Sequence, residues 1–186
     1  MDFQYRAICP EELTLSLFAH FIRRQPVNLC WRRENGSKGI KGSGAWVIKP
    51  DPFIDDWSQE DYRFLVDCLQ NTLKTGGALF GFFADGHLKG FVSVESEPIG
   101  PEKEYLDLTS LHVSSDLRRQ GAGRKLFMLA ADWAKGRGAE KLYISAHSAD
   151  ETQKFYRSLG CIDAAYIDPH HAHNEPYDCQ LEYSIP

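Results

Sequence analysis

Apolar positions along the chain change period from one stretch to the next, and each change marks an element. Phe3 to Ile8 alternates and predicts a short first strand. Pro10 and Glu11-Glu12 then open a pattern in which Leu13, Leu17, Phe18 and Phe21 recur at helical spacing. That pattern predicts an amphipathic helix ending before Pro26. From Asn28 to Asp56 no clean period emerges; the stretch is glycine-rich and aromatic and reads as a loop region with short strands. Ser58 with Asp61 three residues on predicts a helix start, followed by a helix over about Gln59 to Lys74. Phe64, Leu65, Cys68, Leu69 and Leu73 form its apolar side, and Gly76-Gly77 stops it.

Two β-rich runs, A-L-F-G-F-F and L-K-G-F-V-S-V-E, flank the turn Ala84-Asp85-Gly86-His87 and predict a hairpin. A polar connection, Glu97 to Glu104, leads to a strand over Tyr105 to Val113. A glycine loop, a helix to about Gly136, a strand over Lys141 to Ala146 and a helix over Asp150 to Leu159 follow, with Gly160 as the stop. The last third reads as strand, polar loop (Asp168 to Pro176), strand. There is no steady strand–helix alternation, so the order predicts an α+β fold with a mixed sheet and one crossover, through the glycine loop.

Composition narrows the class. A chain of 186 residues suits one domain, here taken as 1–186. Its 42% hydrophobic and 25% charged residues are ordinary for a globular protein. No apolar run is long enough to span a bilayer, and M-D-F-Q-Y-R lacks the basic-then-apolar layout of a secretory leader, so a cytoplasmic location without membrane contact is expected. Cys9, Cys30, Cys68, Cys161 and Cys179 form no C-x-x-C pair and read as reduced thiols. A net charge of −5 without a basic stripe argues against nucleic acid and favours a cationic second substrate.

The stretch R-R-Q-G-A-G-R-K-L, Arg118 to Leu126, carries the clearest chemistry. A loop between a strand and a helix N-terminus presents unpaired N–H groups and the positive end of the helix dipole, and a phosphate fits there. Glycine keeps side chains away from the backbone, as at Gly121 and Gly123, while Arg118, Arg119, Arg124 and Lys125 add charge. A mononucleotide P-loop needs longer glycine spacing and a G-K-S/T, both missing. A dinucleotide fingerprint needs a third glycine where Leu126 stands.

An acyl-coenzyme A remains. Arg118-Arg119-Gln120-Gly121-Ala122-Gly123 resembles motif A of the GNAT superfamily of acyl-CoA-dependent N-acyltransferases, R/Q-x-x-G-x-G/A after a strand. The preceding L-D-L-T-S-L-H-V resembles the family's fourth strand. The downstream A-D-E-T-Q-K-F-Y-R-S-L-G-C resembles its second cofactor-contacting helix, N-x-x-A-x-x-x-Y-x-x-x-G-F. Tyr156 and Gly160 match; Ala149, Thr152 and Cys161 replace the usual asparagine, alanine and phenylalanine. The close resemblance covers about Leu106 to Cys161.

The resemblance implies a mixed, mostly antiparallel sheet flanked by helices, with a splayed central strand pair. It implies transfer of an acetyl group from acetyl-CoA to an amine of a small molecule or peptide, and a homodimer as a possible assembly. It implies donor contacts from Leu111, His112 and Val113, from the loop Arg118, Arg119, Gln120, Gly121, Ala122, Gly123 and Arg124, and from Ala149, Thr152 and Phe155. Tyr156 matches the tyrosine that protonates the leaving thiolate, and Asp107 falls where some members carry a glutamate base. His112, Glu95 and Glu104 are further candidates for the base. A non-catalytic acyl-CoA-binding sensor module is the alternative function.

Two stretches stand outside these motifs. The histidines of D-P-H-H-A-H-N-E-P, namely His170, His171 and His173, invite a metal reading, but no cysteine joins them and nothing fixes their geometry; no metal is expected, and a polar loop near the substrate mouth or a plain surface loop remains. Trp31 to Trp57, with Asp51, Asp55 and Asp56, combines aromatic faces and carboxylates that suit a cationic acceptor amine, or is a surface loop with aromatic anchors.

Overall fold

A computed structural model of the chain describes residues 2–34 and 44–186. Two four-stranded half-sheets form its frame. The first has the order β1 (Phe3–Ala7), β4 (Ala78–Ala84), β5 (His87–Val94), β7 (Ser110–Val113), all antiparallel. The second has the order β6 (Tyr105–Asp107), β8 (Lys141–Ala146), β10 (Cys179–Ser184), β9 (Ile162–Asp163). Among the described strands only the β6–β8 pair is parallel, and it is reached through the crossover helix α2 (Ala122–Gly136). The α+β architecture and its mostly antiparallel sheet thus agree with the sequence reading.

The run Tyr105 to Val113 is not one strand. Its first half pairs with β8 and its second half with β5, and it parts at Leu108-Thr109. The Leu108 amide still donates to Tyr143 in β8 (2.9 Å), whereas the Thr109 amide donates to Ser93 (3.2 Å). Past that point β7 has no ladder partner in β8, so the two half-sheets open like a V.

Helix α1 (Gln59–Lys74) starts at a capping box: the Ser58 hydroxyl accepts from the Asp61 amide, and the Asp61 carboxylate accepts from the Ser58 amide. It packs Val66 and Leu69 against Leu79, Phe83 and Phe91 on one side of the first half-sheet. Helix α2 packs Leu126, Phe127, Ala130 and Ala134 against Val92, Leu106 and Ile144 on the other side. Burying each such large apolar side chain is worth about 1.5–3 kcal/mol, so these two layers hold the half-sheets between them.

Three further predicted elements are corrected. Residues 10–24 form 3-10 turns (Pro10–Glu12 and Leu15–Phe18), not an amphipathic α-helix. Carbonyls that helical pairing would use are taken by α1: Gln70 Nε2 donates to Leu13 (3.0 Å) and the Tyr62 hydroxyl to Phe21 (3.3 Å). Between 28 and 56, where a loop region was expected, the described residues form a long two-stranded arm, β2 (Gln25–Arg33) against β3 (Trp46–Asp55); residues 35–43 of that stretch lie outside the described residues. A bulge between Val27 and Leu29 breaks the alternation. Pro26, Pro50 and Pro52 are tolerated because each strand of a two-stranded sheet keeps one edge free. Finally, the polar loop after Asp168 contains a short helix, α4 (Pro169–Asn174), capped by Asp168, whose Oδ1 accepts from the His170 and His171 amides.

Candidate active site

The mouth of the V is closed on one side by the glycine loop. Gly121 caps α2 at φ 83°, a left-handed conformation that spares only glycine a Cβ penalty. Gly123 has a different reason: a Cβ there would stand 3.1 Å from the Phe155 ring on helix α3 (Asp150–Ser158). Among the described residues, the seven consecutive backbone amides of Arg118 to Arg124 donate to no protein acceptor. They lie just before and at the N-terminus of α2, where unpaired amides and the helix dipole suit an anionic oxygen.

The loop's cations do not converge on that point. Arg118 turns back and donates from Nε to the Val113 carbonyl (3.0 Å), and burial lowers its pKa. Arg119 pairs with Glu151 (3.0 Å), Arg124 donates to the Ser158 carbonyl (3.1 Å), and Lys125 lies 4.0 Å from the Tyr5 ring centre. Gln120 is exposed and Ala122 is buried under the loop.

Strand β7 forms one wall of the V. The Ser114 amide donates to Lys89 (2.8 Å), so antiparallel alternation turns the backbone of His112 toward Phe91 and the amides of Leu111 and Val113 into the V. The backbone groups of Leu111 and Val113 therefore face the V, while those of His112 are taken up by β5. The His112 ring packs between Trp57 (4.8 Å) and Phe91 (5.3 Å). Burial, with Arg23 and Arg118 nearby, holds its pKa at about 3, so His112 is a neutral packing group at physiological pH.

Helix α3 follows β8 on the other side of the V. Tyr156 is 6% exposed, between Phe127 and Phe155, and burial raises its pKa. Thr152 and Phe155 are half-buried on the same helix. Ala149, at the N-cap, packs in a small apolar cluster with Val27 and Cys30, and Trp31 donates to the Ser148 carbonyl (2.7 Å). The β2–β3 arm thus lies across the start of α3, where a larger side chain at 149 would collide with it.

Beneath the parting lies Asp107, only 8% exposed. Its Oδ2 is 2.7 Å from His171 Nε2, and His171 Nδ1 is 3.2 Å from Glu175 Oε2. The hydrogen bonds to Asp107 and Glu175 raise the His171 pKa to about 10. Burial pushes the Asp107 carboxyl up, and the hydrogen bond and charge of His171 pull it only partly back down. Asp107 Oδ1 is buried and has no hydrogen-bond partner among the described residues. Tyr143 lies under the His171 ring (5.7 Å), its hydroxyl held by Gln180 (2.6 Å) and by the Asp168 amide (3.0 Å). Asp107 also lines a pocket of about 440 Å³ with Glu95, Glu97, Asn71 and Thr75. Glu95 accepts from the Thr72 hydroxyl there (2.5 Å).

His171 was read from the sequence only as part of a polar or metal-seeking loop. The signal that places it is Asp168-Pro169, an N-cap with proline in the first turn, followed by Glu175 four residues after His171. No grouping of three or more potential metal ligands occurs among the described residues. The carboxylates expected to meet a cationic acceptor in the arm are instead paired internally: Asp51 with Arg32, Asp55 with Arg23, and Asp56 with Arg24 (3.7 Å). Glu104 Oε2 accepts from the Glu102 amide (3.0 Å) in the connection before β6.

A strand shared between two half-sheets, a V beside a helix whose first amides are free, and an acid beneath the parting define an acyltransferase fold. The chain belongs to the GNAT acetyltransferase family, whose model matches residues 44–161. No curated protein matches it. Solved structures with the same fold include a nourseothricin acetyltransferase (TM-score 0.67, 18% identity, 100% of both chains covered). A Bacillus anthracis acetyltransferase in complex with acetyl coenzyme A gives a TM-score of 0.66 at 12% identity, covering 97% of this chain and 96% of that one. The paia N-acetyltransferase of Thermoplasma acidophilum, in complex with coenzyme A, gives 0.59 at 16% identity, covering 99% of each.

Proposed function

We propose that the whole chain, 1–186, acts as an acetyl-CoA-dependent N-acetyltransferase on a primary amine of a small molecule or peptide. The observation that carries this reading is the run of seven acceptor-free amides, Arg118 to Arg124, at the mouth of the V whose floor holds Asp107. Those amides fit a pyrophosphate, and the Leu111 and Val113 amides fit a pantetheine arm laid along β7. Bound acetyl-CoA supplies a thioester activated toward nucleophilic attack.

This chain's residues then handle the protons. The acceptor nitrogen attacks as a neutral amine, forming the C–N bond, and its surplus proton goes to Asp107 Oδ1. The Leu111 amide stabilises the carbonyl oxygen as charge develops on it. As the C–S bond breaks, its electron pair leaves on sulfur and Tyr156 returns a proton there. Burial keeps Tyr156 in its phenol form, as a donor must be. Glu95 and Glu97 beside Asp107 favour a cationic acceptor in the adjoining pocket.

The reading places the protein in the cytoplasm, away from membranes and nucleic acid; no described helix is long and apolar enough to cross a membrane. The test is thiol release from acetyl-CoA across a panel of polyamines, aminoglycosides, amino acids and peptides. Acetylation of a primary amine supports the proposal. Acetyl-CoA binding without turnover on any amine would instead make the chain a sensor module.

A further inference from the structure

His171 comes from α4, 64 residues beyond Asp107, yet it is the only group that bonds the Asp107 carboxylate among the described residues. Each of its ring nitrogens faces a carboxylate oxygen, Asp107 on one side and Glu175 on the other. A neutral imidazole has one N–H and can donate to only one of them; the imidazolium donates to both. The ring is also fixed from below by Tyr143 and from the chain side by Asp168, whose cap holds the His171 amide.

We propose that His171 is a positioning residue for acetyl transfer: an imidazolium wedged between Asp107 and Glu175 that keeps Asp107 ionised and leaves Oδ1 as its one free oxygen. The inference rests on Asp107 as the proton acceptor. A carboxylate this buried would otherwise hold its own proton and be unable to accept another. The cation beside it offsets that cost without occupying Oδ1. His171 is not itself the base, because both of its nitrogens already carry protons committed to carboxylates.

The charged and titratable surroundings support this assignment. Asp107 meets His171, Asp168 and Glu175 from the α4 side, Tyr143 from β8, and Glu95 across the pocket from just after β5. His171 meets Asp107, Glu175, Asp168 and Asp178, with the His170 ring edge-on at 5.9 Å. The surrounding groups are mainly acidic, and burial with Glu175 beside it raises Asp178 to about 7. Arg32 also acts on Asp178, but His171 is the one cation acting on Asp107, so removing it should push the Asp107 carboxyl further up.

The test compares kcat/KM against pH for the wild type, His171→Gln and Asp107→Asn, using the panel amine with the fastest thiol release at saturating acetyl-CoA. In His171→Gln the acid limb moves to higher pH by about one unit or more, the order expected when a cation about 4–6 Å from a carboxylate is lost. An unshifted acid limb, whether or not overall activity falls, overturns the wedge. Full activity in Asp107→Asn overturns the base assignment separately. A second measurement needs no acceptor and no variant: nitrogen-15 NMR of the histidine rings. The wedge requires that His171 have both ring nitrogens protonated at pH 8, and a neutral ring at that pH refutes it.

Discussion

Gly123 stands against the ring of Phe155, with room for a hydrogen but not comfortably for a methyl: an added Cβ would lie 3.1 and 3.2 Å from two ring carbons. Gly121, two residues earlier, has open space around it but a φ of 83°. The two glycines of the loop are thus required for different reasons, one for conformation and one for proximity. Gly121→Ala should cost about 1 kcal/mol or slightly more through the left-handed backbone, or roughly 2–4 °C in Tm for a chain of this size. Gly123→Ala should change Tm less and weaken coenzyme A binding more, by displacing Phe155. Calorimetric melting and titration with coenzyme A separate the two, and identical effects from both variants would contradict it.

Tyr156→Phe removes one hydroxyl from an aromatic enclosure and leaves the packing with Phe127 and Phe155. If Tyr156 returns the proton to sulfur, kcat falls by about 100-fold or more while the affinity for acetyl-CoA stays within a factor of a few. Steady-state kinetics read the split directly. Unchanged kcat would leave Tyr156 as a packing residue.

Ala149→Asn restores the residue usual in the family at the start of α3. In this chain that position is 2% exposed beneath Cys30 and Val27. The larger amide should destabilise the fold by about 1–3 kcal/mol through overpacking, with no gain in donor affinity. Urea denaturation checks the first claim and coenzyme A titration the second. A variant as stable as the wild type would mean that the β2–β3 arm does not press on this site.

The Asp107–His171–Glu175 contact also predicts a pH dependence of stability. His171 has a folded-state pKa of about 10, above its ordinary 6.5. A raised value means stability fully present below the unfolded pKa and lost as pH rises toward 10. Glu175 is held below its usual range by His171, so its share is present above the ordinary carboxylate pKa and lost in acid. The stability difference between wild type and His171→Gln should therefore be largest near neutrality and shrink toward pH 10. Urea midpoints at pH 7 and pH 10 measure it, and a difference that grows with pH would refute it.

What the sequence made legible follows the locality of the signals. The α1 start was readable because Ser58 and Asp61 bond each other across three residues. The glycine loop and Tyr156 were readable because their spacing is itself the signal. The turns over 10–24 were not, because Gln70 and Tyr62, far along the chain, divert the carbonyls a helix would use. The arm was hidden by its bulge and prolines. His171 was hidden because its partner lies 64 residues away, and only its own helix left a local trace in Asp168-Pro169.

The inward turn of Arg118, together with the outside engagements of Arg119, Arg124 and Lys125, bears on ionic strength. Under the proposed reading, donor capture at this loop rests on peptide dipoles at short range rather than on free positive charge. Dipolar contacts of that kind are barely screened by salt, whereas attraction between exposed ions fades over about 8–10 Å in physiological electrolyte. On that reading a protein of net charge −5 holds a polyanionic donor without a compensating basic surface, and its donor affinity should change little with salt.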